Sequence, residues 1–260
     1  MASLKQLEIH MFPCLKDNYG FLLHDAKNNL TAAIDTPDAE AIEKALSAKG
    51  WKLTHILNTH HHWDHAGGNL ELKKKTGCLI AGPQAEASRI PGIDIQLSEG
   101  DIFQFGQFNA KVYDTPGHTS GHIVYHFESE HVAFVGDTLF AMGCGRLFEG
   151  TAEQMWNSLQ KIMQWPDDTI IYCAHEYTQT NARFALTVEP HNNDLITRAE
   201  ATDNLCDTGK PTIPTTLEFE KKTNPFLRPM SNGIRTMLHM ENSTNVEVFA
   251  RIRLLKDNFS

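Results

Sequence analysis

The run Thr59-His60-His61-His62-Trp63-Asp64-His65 restricts what this chain can fold into more than any other feature. It follows a short apolar stretch, 54–57, that reads as a strand. A helical pattern at 66–75, stopped by Gly77, comes directly after it. In extended backbone, residues i and i+2 share a face, so His60 and His62 reach one point while His61 turns away. If the chain then enters a helix, Asp64 and His65 stand at its start and face the same cavity. Imidazole and carboxylate ligands together suit Zn²⁺, and also Fe or Mn. A histidine run alone fits a solvated stretch equally well, but three further places carry the same residue types. Thr115-Pro116-Gly117-His118 sets a histidine in a Gly/Pro turn after a strand, Val135-Gly136-Asp137 ends an apolar strand in a carboxylate, and Cys173-Ala174-His175 ends another in a histidine. Functional residues collect at such strand-to-loop junctions.

The remaining composition excludes several classes. A chain of 260 residues can bury a substantial core without staples, and its formal charge of −9 argues against a nucleic-acid binder. The five cysteines form no C-x-x-C pair, which points away from a disulfide framework. The start of the chain reads neither as a secretory signal nor as a transit peptide, and no apolar run reaches membrane-spanning length. The expectation is a cytoplasmic, monomeric protein with no membrane partner.

Short apolar runs at 7–11, 21–24, 31–34, 54–57, 102–105, 110–113, 122–127, 131–135 and 169–173 read as strands. Stretches 38–48, 66–75 and 152–163 read as helices, the first capped by Thr36 or Asp38 and ended by Gly50. Beyond His175 the texture changes. Segments 178–188, 194–205, 217–222 and 246–255 look helical or turn-like, with no convincing strand, and Pro211, Pro214, Pro225 and Pro229 break them up. This places a catalytic domain at 1–175 and a smaller helical domain at 176–260.

The signature H-x-H-x-D-H followed by a distant His, Asp and His resembles that of the metallo-β-lactamase superfamily. Longer strings sharpen the likeness: His60-His61-His62-Trp63-Asp64-His65-Ala66-Gly67-Gly68-Asn69, Gly136-Asp137-Thr138-Leu139-Phe140, Gly143-Cys144-Gly145-Arg146-Leu147-Phe148-Glu149-Gly150-Thr151, His175-Glu176-Tyr177-Thr178, Asn224-Pro225-Phe226-Leu227-Arg228 and Lys256-Asp257-Asn258-Phe259. With these the chain looks like the glyoxalase II (hydroxyacylglutathione hydrolase) family over nearly its whole length. The resemblance implies an α+β fold, an αββα sandwich followed by a helical domain. It implies two divalent metal ions, with Zn²⁺ the leading candidate. His60, His62 and His118 would hold the first, Asp64, His65 and His175 the second, and Asp137 would bridge them. Asp64 and Asp137 are thereby also the catalytic carboxylates. Arg146, Phe148, His175, Tyr177, Arg253 and Lys256 would hold a glutathione thioester; Phe148 stands where some members have Tyr and lacks its hydroxyl. Asp35 reads either as an orienter of a ligand histidine or as a turn residue before Pro37. His61 and His122 would face away from the metals, and the other histidines read as surface or satisfied residues.

The implied reaction is hydrolysis of S-D-lactoylglutathione to D-lactate and glutathione, a step of methylglyoxal detoxification, by water that the metals activate. A thiolate leaving group, with a pKa of about 8.5, departs without much help from an acid. The sequence holds no G-x-S-x-G elbow. The rivals are a lactonase or β-lactamase of the same superfamily, which lack the basic helical tail, and a glutathione persulfide dioxygenase, which uses fewer metal ligands. A structural zinc protein would saturate its metal and leave no open position.

Overall fold

The structure is a computed structural model in which residues 6–259 are described. The chain divides into two compact units, one running to Asp114 and including Ser120–Gly136, the other made of Thr115–Thr119 and the chain from Asp137 onward.

In the first unit, strands β1 (Glu8–Cys14), β2 (Asn18–Asp25), β3 (Leu30–Ile34), β4 (His55–Leu57), β5 (Leu79–Pro83) and β6 (Ile95–Leu97) form one sheet in chain order. The first three are an antiparallel meander, and from β3 onward neighbours run parallel. Parallel strands need crossovers, which helices α1 (Ala39–Lys49), α2 (Trp63–Ala66) and α3 (Asn69–Thr76) supply. The Asp38 carboxylate caps the start of α1 by accepting the Ala41 N–H. Ile42 and Leu46 of α1 and Leu72 of α3 pack with Leu22, Ala33, Ile56 and Ile80 of the sheet. Strands β7 (Ile102–Phe105), β8 (Phe108–Asp114), β9 (Ile123–Phe127) and β10 (Val132–Gly136) form a second antiparallel meander. The two layers meet where Phe134 of β10 sets its ring edge against Phe21 of β2, 5.5 Å between centroids, and also packs against Phe127. The helices thus pack on one face of the first sheet and the second meander on the other.

The second unit holds the hairpin β11 (Leu139–Phe140) and β12 (Gly143–Cys144), helix α4 (Ala152–Met163), the pair β13 (Ile170–Cys173) and β14 (Thr215–Thr216), and helices α5 (Thr178–Val188), α6 (Asn193–Asp207), α7 (Leu217–Thr223), α8 (Asn232–Leu238) and α9 (Asn245–Asp257). Full capping boxes start α4 (Thr151 with Gln154) and α9 (Thr244 with Glu247).

Three expectations change. The single helix at 66–75 is two, α2 and α3, because backbone bonds divert the chain between them. Thr36 N–H donates to the His65 carbonyl at 2.7 Å, and Gly68 N–H donates to the Thr36 carbonyl at 3.0 Å. A Cβ at position 68 would lie 3.0 Å from that carbonyl oxygen, so glycine suits the approach. Strands β5 and β6 are additional, and both are parallel strands whose pairing is non-local. Among the described residues beyond His175 there is one strand after all, β14, which pairs with Ile170 and Ile171 of β13.

Phe134 is 1% exposed. Phe134→Ala is expected to destabilise the protein by about 3–5 kcal/mol, visible as a lowered urea midpoint with an unchanged slope.

Candidate metal centre

The candidate ligands stand in loops that follow strands or, for Asp64 and His65, in the short helix α2, and the outer nitrogen of several imidazoles is already engaged. Asp35, just past β3, is 5% exposed and sits at a φ of 56°. Its carboxylate accepts the Thr59 N–H, the Thr59 hydroxyl and the His65 Nδ1–H, each at 2.8 Å. With the Thr59 hydroxyl proton so directed, Thr59 Oγ1 accepts from His60 Nδ1 at 3.0 Å. His60 and His65 are therefore both held as the tautomer that leaves Nε2 a lone pair. His60 Nε2 lies 3.0 Å from His62 Nδ1, and His65 Nε2 lies 3.6 Å from Asp64 Oδ2. Asn18 Nδ2 donates to the Asp64 carbonyl at 3.2 Å and to its carboxylate at 3.3 Å.

In the second unit the same logic repeats. His118 Nδ1–H donates to the Arg146 carbonyl at 2.9 Å, which frees Nε2. That Nε2 faces Asp137 Oδ2 at 3.3 Å, and His175 Nε2 faces Asp137 Oδ1 at 3.4 Å. Asp137 thus offers one oxygen to each histidine.

Within the first unit the structure sets His60 beside His62 and His65 beside Asp64, and within the second it sets His118 and His175 against Asp137. All seven expected residues thus have another ligand-type side chain next to them. This donor set of imidazole nitrogens and carboxylate oxygens, mostly buried, is of the kind that holds divalent metal ions. Nearby His122 is fully buried and stacks on His60 at 4.8 Å. The cysteines offer no activated thiolate. Burial pushes Cys144 up to about 11 in spite of the Arg253 charge beside it, and Cys173 up to about 12.

Comparison with known proteins agrees with this arrangement. The family model described as the metallo-beta-lactamase superfamily matches residues 31–175, and that described as the hydroxyacylglutathione hydrolase C-terminus matches 176–259. The chain is 52% identical to the hydroxyacylglutathione hydrolase of Maricaulis maris, over 98% of this chain and 100% of that one. It is 54% identical to that of Rhizobium etli, with the same coverage. The chain belongs to the hydroxyacylglutathione hydrolase family. A crystal structure of a metallo-beta-lactamase from Staphylococcus aureus has a TM-score of 0.67 at 20% identity, covering 98% of this chain and 72% of that chain, and shares the fold. The fold is the αββα sandwich of that superfamily with a helical C-terminal region.

The residues expected at the substrate are all in the second unit. The Phe148 ring, 62% exposed, stands edge-on to His118 at 5.2 Å. Tyr177 stacks on His175 at 4.8 Å with the rings 3° from parallel, and Phe140 closes on both edge-on. The Arg146 side chain is exposed, its Nε 4.0 Å from Asp257. Arg253, by contrast, is 4% exposed and its guanidinium is committed inside the protein. It donates to the Cys144 carbonyl at 2.9 Å, grips Asp257 at 2.9 and 2.8 Å, and lies over the Phe226 ring. Lys256 Nζ lies near the Phe184 and Phe259 rings, at 5.6 and 5.3 Å from their centroids. Burial, then the charges of Arg253 and Arg146, lower its pKa to about 8.

No motif marks Asn18, which opens β2, or Glu86, which closes a short helical turn after β5. Of the two readings given to Asp35, the bond to His65 supports the first. Asp35→Asn replaces an oxygen acceptor with a donor and is expected to weaken metal binding about 10–100-fold. Dialysis against graded chelator followed by metal assay reads that loss directly.

Proposed function

We propose that this thiolester hydrolase cleaves S-D-lactoylglutathione and related S-2-hydroxyacylglutathiones with water, yielding D-lactate or the matching 2-hydroxy acid and glutathione, as a step of methylglyoxal detoxification. The observation that carries the reading is the placement of Asp137, whose two oxygens each face the Nε2 of a different histidine. A carboxylate so placed suits the bridging role between two divalent ions. In this reading His60, His62 and His118 hold one ion, Asp64, His65 and His175 hold the other, and Zn²⁺ is the proposed occupant of both. A bound pair supplies a water ionised near neutral pH and a Lewis acid for the acyl carbonyl.

The chain's own residues do the rest. Asn18 and Asp35 keep Asp64 and His65 aimed without reorganisation at the moment of reaction. No thiol competes as nucleophile, because burial keeps Cys144 and Cys173 protonated. The leaving thiolate is stable enough to need no strong acid. Glutathione carries two carboxylates, and cations hold such groups through charge-assisted bonds. Arg146 and Lys256 are the cations that supply them, while the exposed ring of Phe148 and the stacked ring of Tyr177 flank the thioester. Arg253 serves this pocket by holding the loop at Cys144 to α9, which carries Lys256. No helix of the described residues is long and apolar enough to cross a membrane; the enzyme is proposed to act in the cytoplasm, as a monomer, without nucleic-acid partners.

The deciding experiment is hydrolysis of S-D-lactoylglutathione, followed by loss of thioester absorbance, on protein of assayed metal content. Brisk turnover with close to two metals per chain, abolished by a chelator and restored by Zn²⁺, is expected. Absence of turnover in fully metallated protein overturns the substrate assignment.

The lowered pKa of Lys256 gives a pH dependence with a definite sign. The ammonium form binds carboxylate, and it is lost as pH rises through about 8. KM is therefore expected to be flat below that value and to climb above it, with kcat much less affected. Lys256→Ala should raise KM about 10-fold, for one charge-assisted bond of about 1.5 kcal/mol, and should flatten the climb.

A further inference from the structure

The run of three histidines contains one, His61, whose side chain turns to a different partner from those of its neighbours, and that partner is a buried carboxylate. Glu86, at the end of a short helical turn after β5, is fully buried. Its Oε2 accepts the His61 backbone N–H at 2.8 Å and the His61 Nδ1–H at 2.7 Å. Its Oε1 accepts the Gly121 N–H at 2.9 Å. Arg89 lies 3.4 Å from Oε1 and compensates the charge, while its Nη1 reaches His61 Nε2 at 3.3 Å. A buried carboxylate is costly unless its oxygens are satisfied, and here backbone and ring N–H groups with one guanidinium satisfy both.

The geometry points to Glu86 as the positioning residue of the His60–His62 loop, with His61 as the peg it grips. In extended backbone, fixing residue 61 on one side obliges 60 and 62 to point to the other. A histidine at 61 adds a side-chain bond to the backbone bond, so the loop is held by two contacts to one oxygen. The same carboxylate ties down the turn at Gly121. There a Cβ would lie 2.7 Å from Glu86 Cγ and 2.7 Å from Ala85 Cβ, so only glycine permits the approach. One buried side chain thus holds the loop that bears two candidate ligands and the turn that follows a third, His118.

This inference rests on the reading of His60 and His62 as metal ligands, and the test separates the two. Zn²⁺ affinity is measured by competition with a chromophoric chelator on the full-length protein and its variants. Glu86→Gln is expected to lower Zn²⁺ affinity about 10–100-fold, the range for residues that orient ligands from behind. His61→Ala, which leaves the backbone bond in place, is expected to cost less, and the double variant no more than Glu86→Gln alone, since both remove one shared contact. Glu189→Gln is the control for stability alone. Its carboxylate is bonded by Arg228, Ser231 and Asn192 far along the chain, so it should lower thermal stability without moving Zn²⁺ affinity. Where Glu86→Gln does not fold, Glu86→Asp keeps the charge beside Arg89 but shortens the reach, and it carries the test with a partial loss. Parental affinity in the Glu86 variants, or additive losses in the double variant, overturns the inference. A parental protein that binds no Zn²⁺ overturns the metal-ligand reading instead.

Discussion

The Asp35 carboxylate is the interaction on which the candidate centre depends. Imidazole is an ambiguous group, with two nitrogens and two neutral tautomers. An imidazole is poised to bind a metal when its outer nitrogen is committed to another partner. Asp35 commits His65 directly and His60 through the Thr59 hydroxyl, and it adds the Thr59 backbone N–H. It does so from a left-handed backbone position that costs a non-glycine residue energy. The strain is held by the parallel pairing of β3 and β4, whose extension brings the Asp35 N–H to the Leu57 carbonyl at 3.0 Å. Sheet register, turn and tautomer form one chain of cause.

Other ligands are held by equally local devices of different chemistry. A backbone carbonyl, that of Arg146, sets His118. An amide, Asn18, sets Asp64. A buried carboxylate, Glu86, grips the backbone and ring of His61 between His60 and His62. Because these partners come from neighbouring strand ends and turns, folding itself aligns the ligands, and little rearrangement is left for metal binding to drive. The Arg146 carbonyl also links the metal centre to substrate recognition. The residue whose main chain fixes His118 carries the exposed guanidinium proposed to meet a glutathione carboxylate.

The substrate side shows how burial divides similar residues between tasks. Arg253 and Lys256 stand on one helix, yet their surroundings differ. Arg253 is enclosed, with a carbonyl, a carboxylate and a ring face around it, and so serves to fasten α9 to the loop at Cys144. Lys256 is half-buried near two aromatic rings, and burial together with its positive neighbours favours its neutral form and makes it responsive to an incoming anion.

Much of this was legible in the residues themselves. Seven ligand-type side chains at four strand-to-loop junctions stood out because the chemistry of a metal site needs those residue types at those spacings. Helices α4 and α5 matched their amphipathic patterns because their caps and apolar stripes are local. What only the tertiary structure decided depends on distant partners. The break between α2 and α3 comes from Thr36 in another loop, and β5, β6 and β14 exist only through pairing with strands elsewhere in the chain. Asn18 and Glu86 gain a role solely from what lies across from them. The split between Arg253 and Lys256 follows from burial, which no spacing encodes. Local pattern names the groups able to do chemistry, whereas the orientation, tautomer and charge of each are set by neighbours that folding brings from far along the chain.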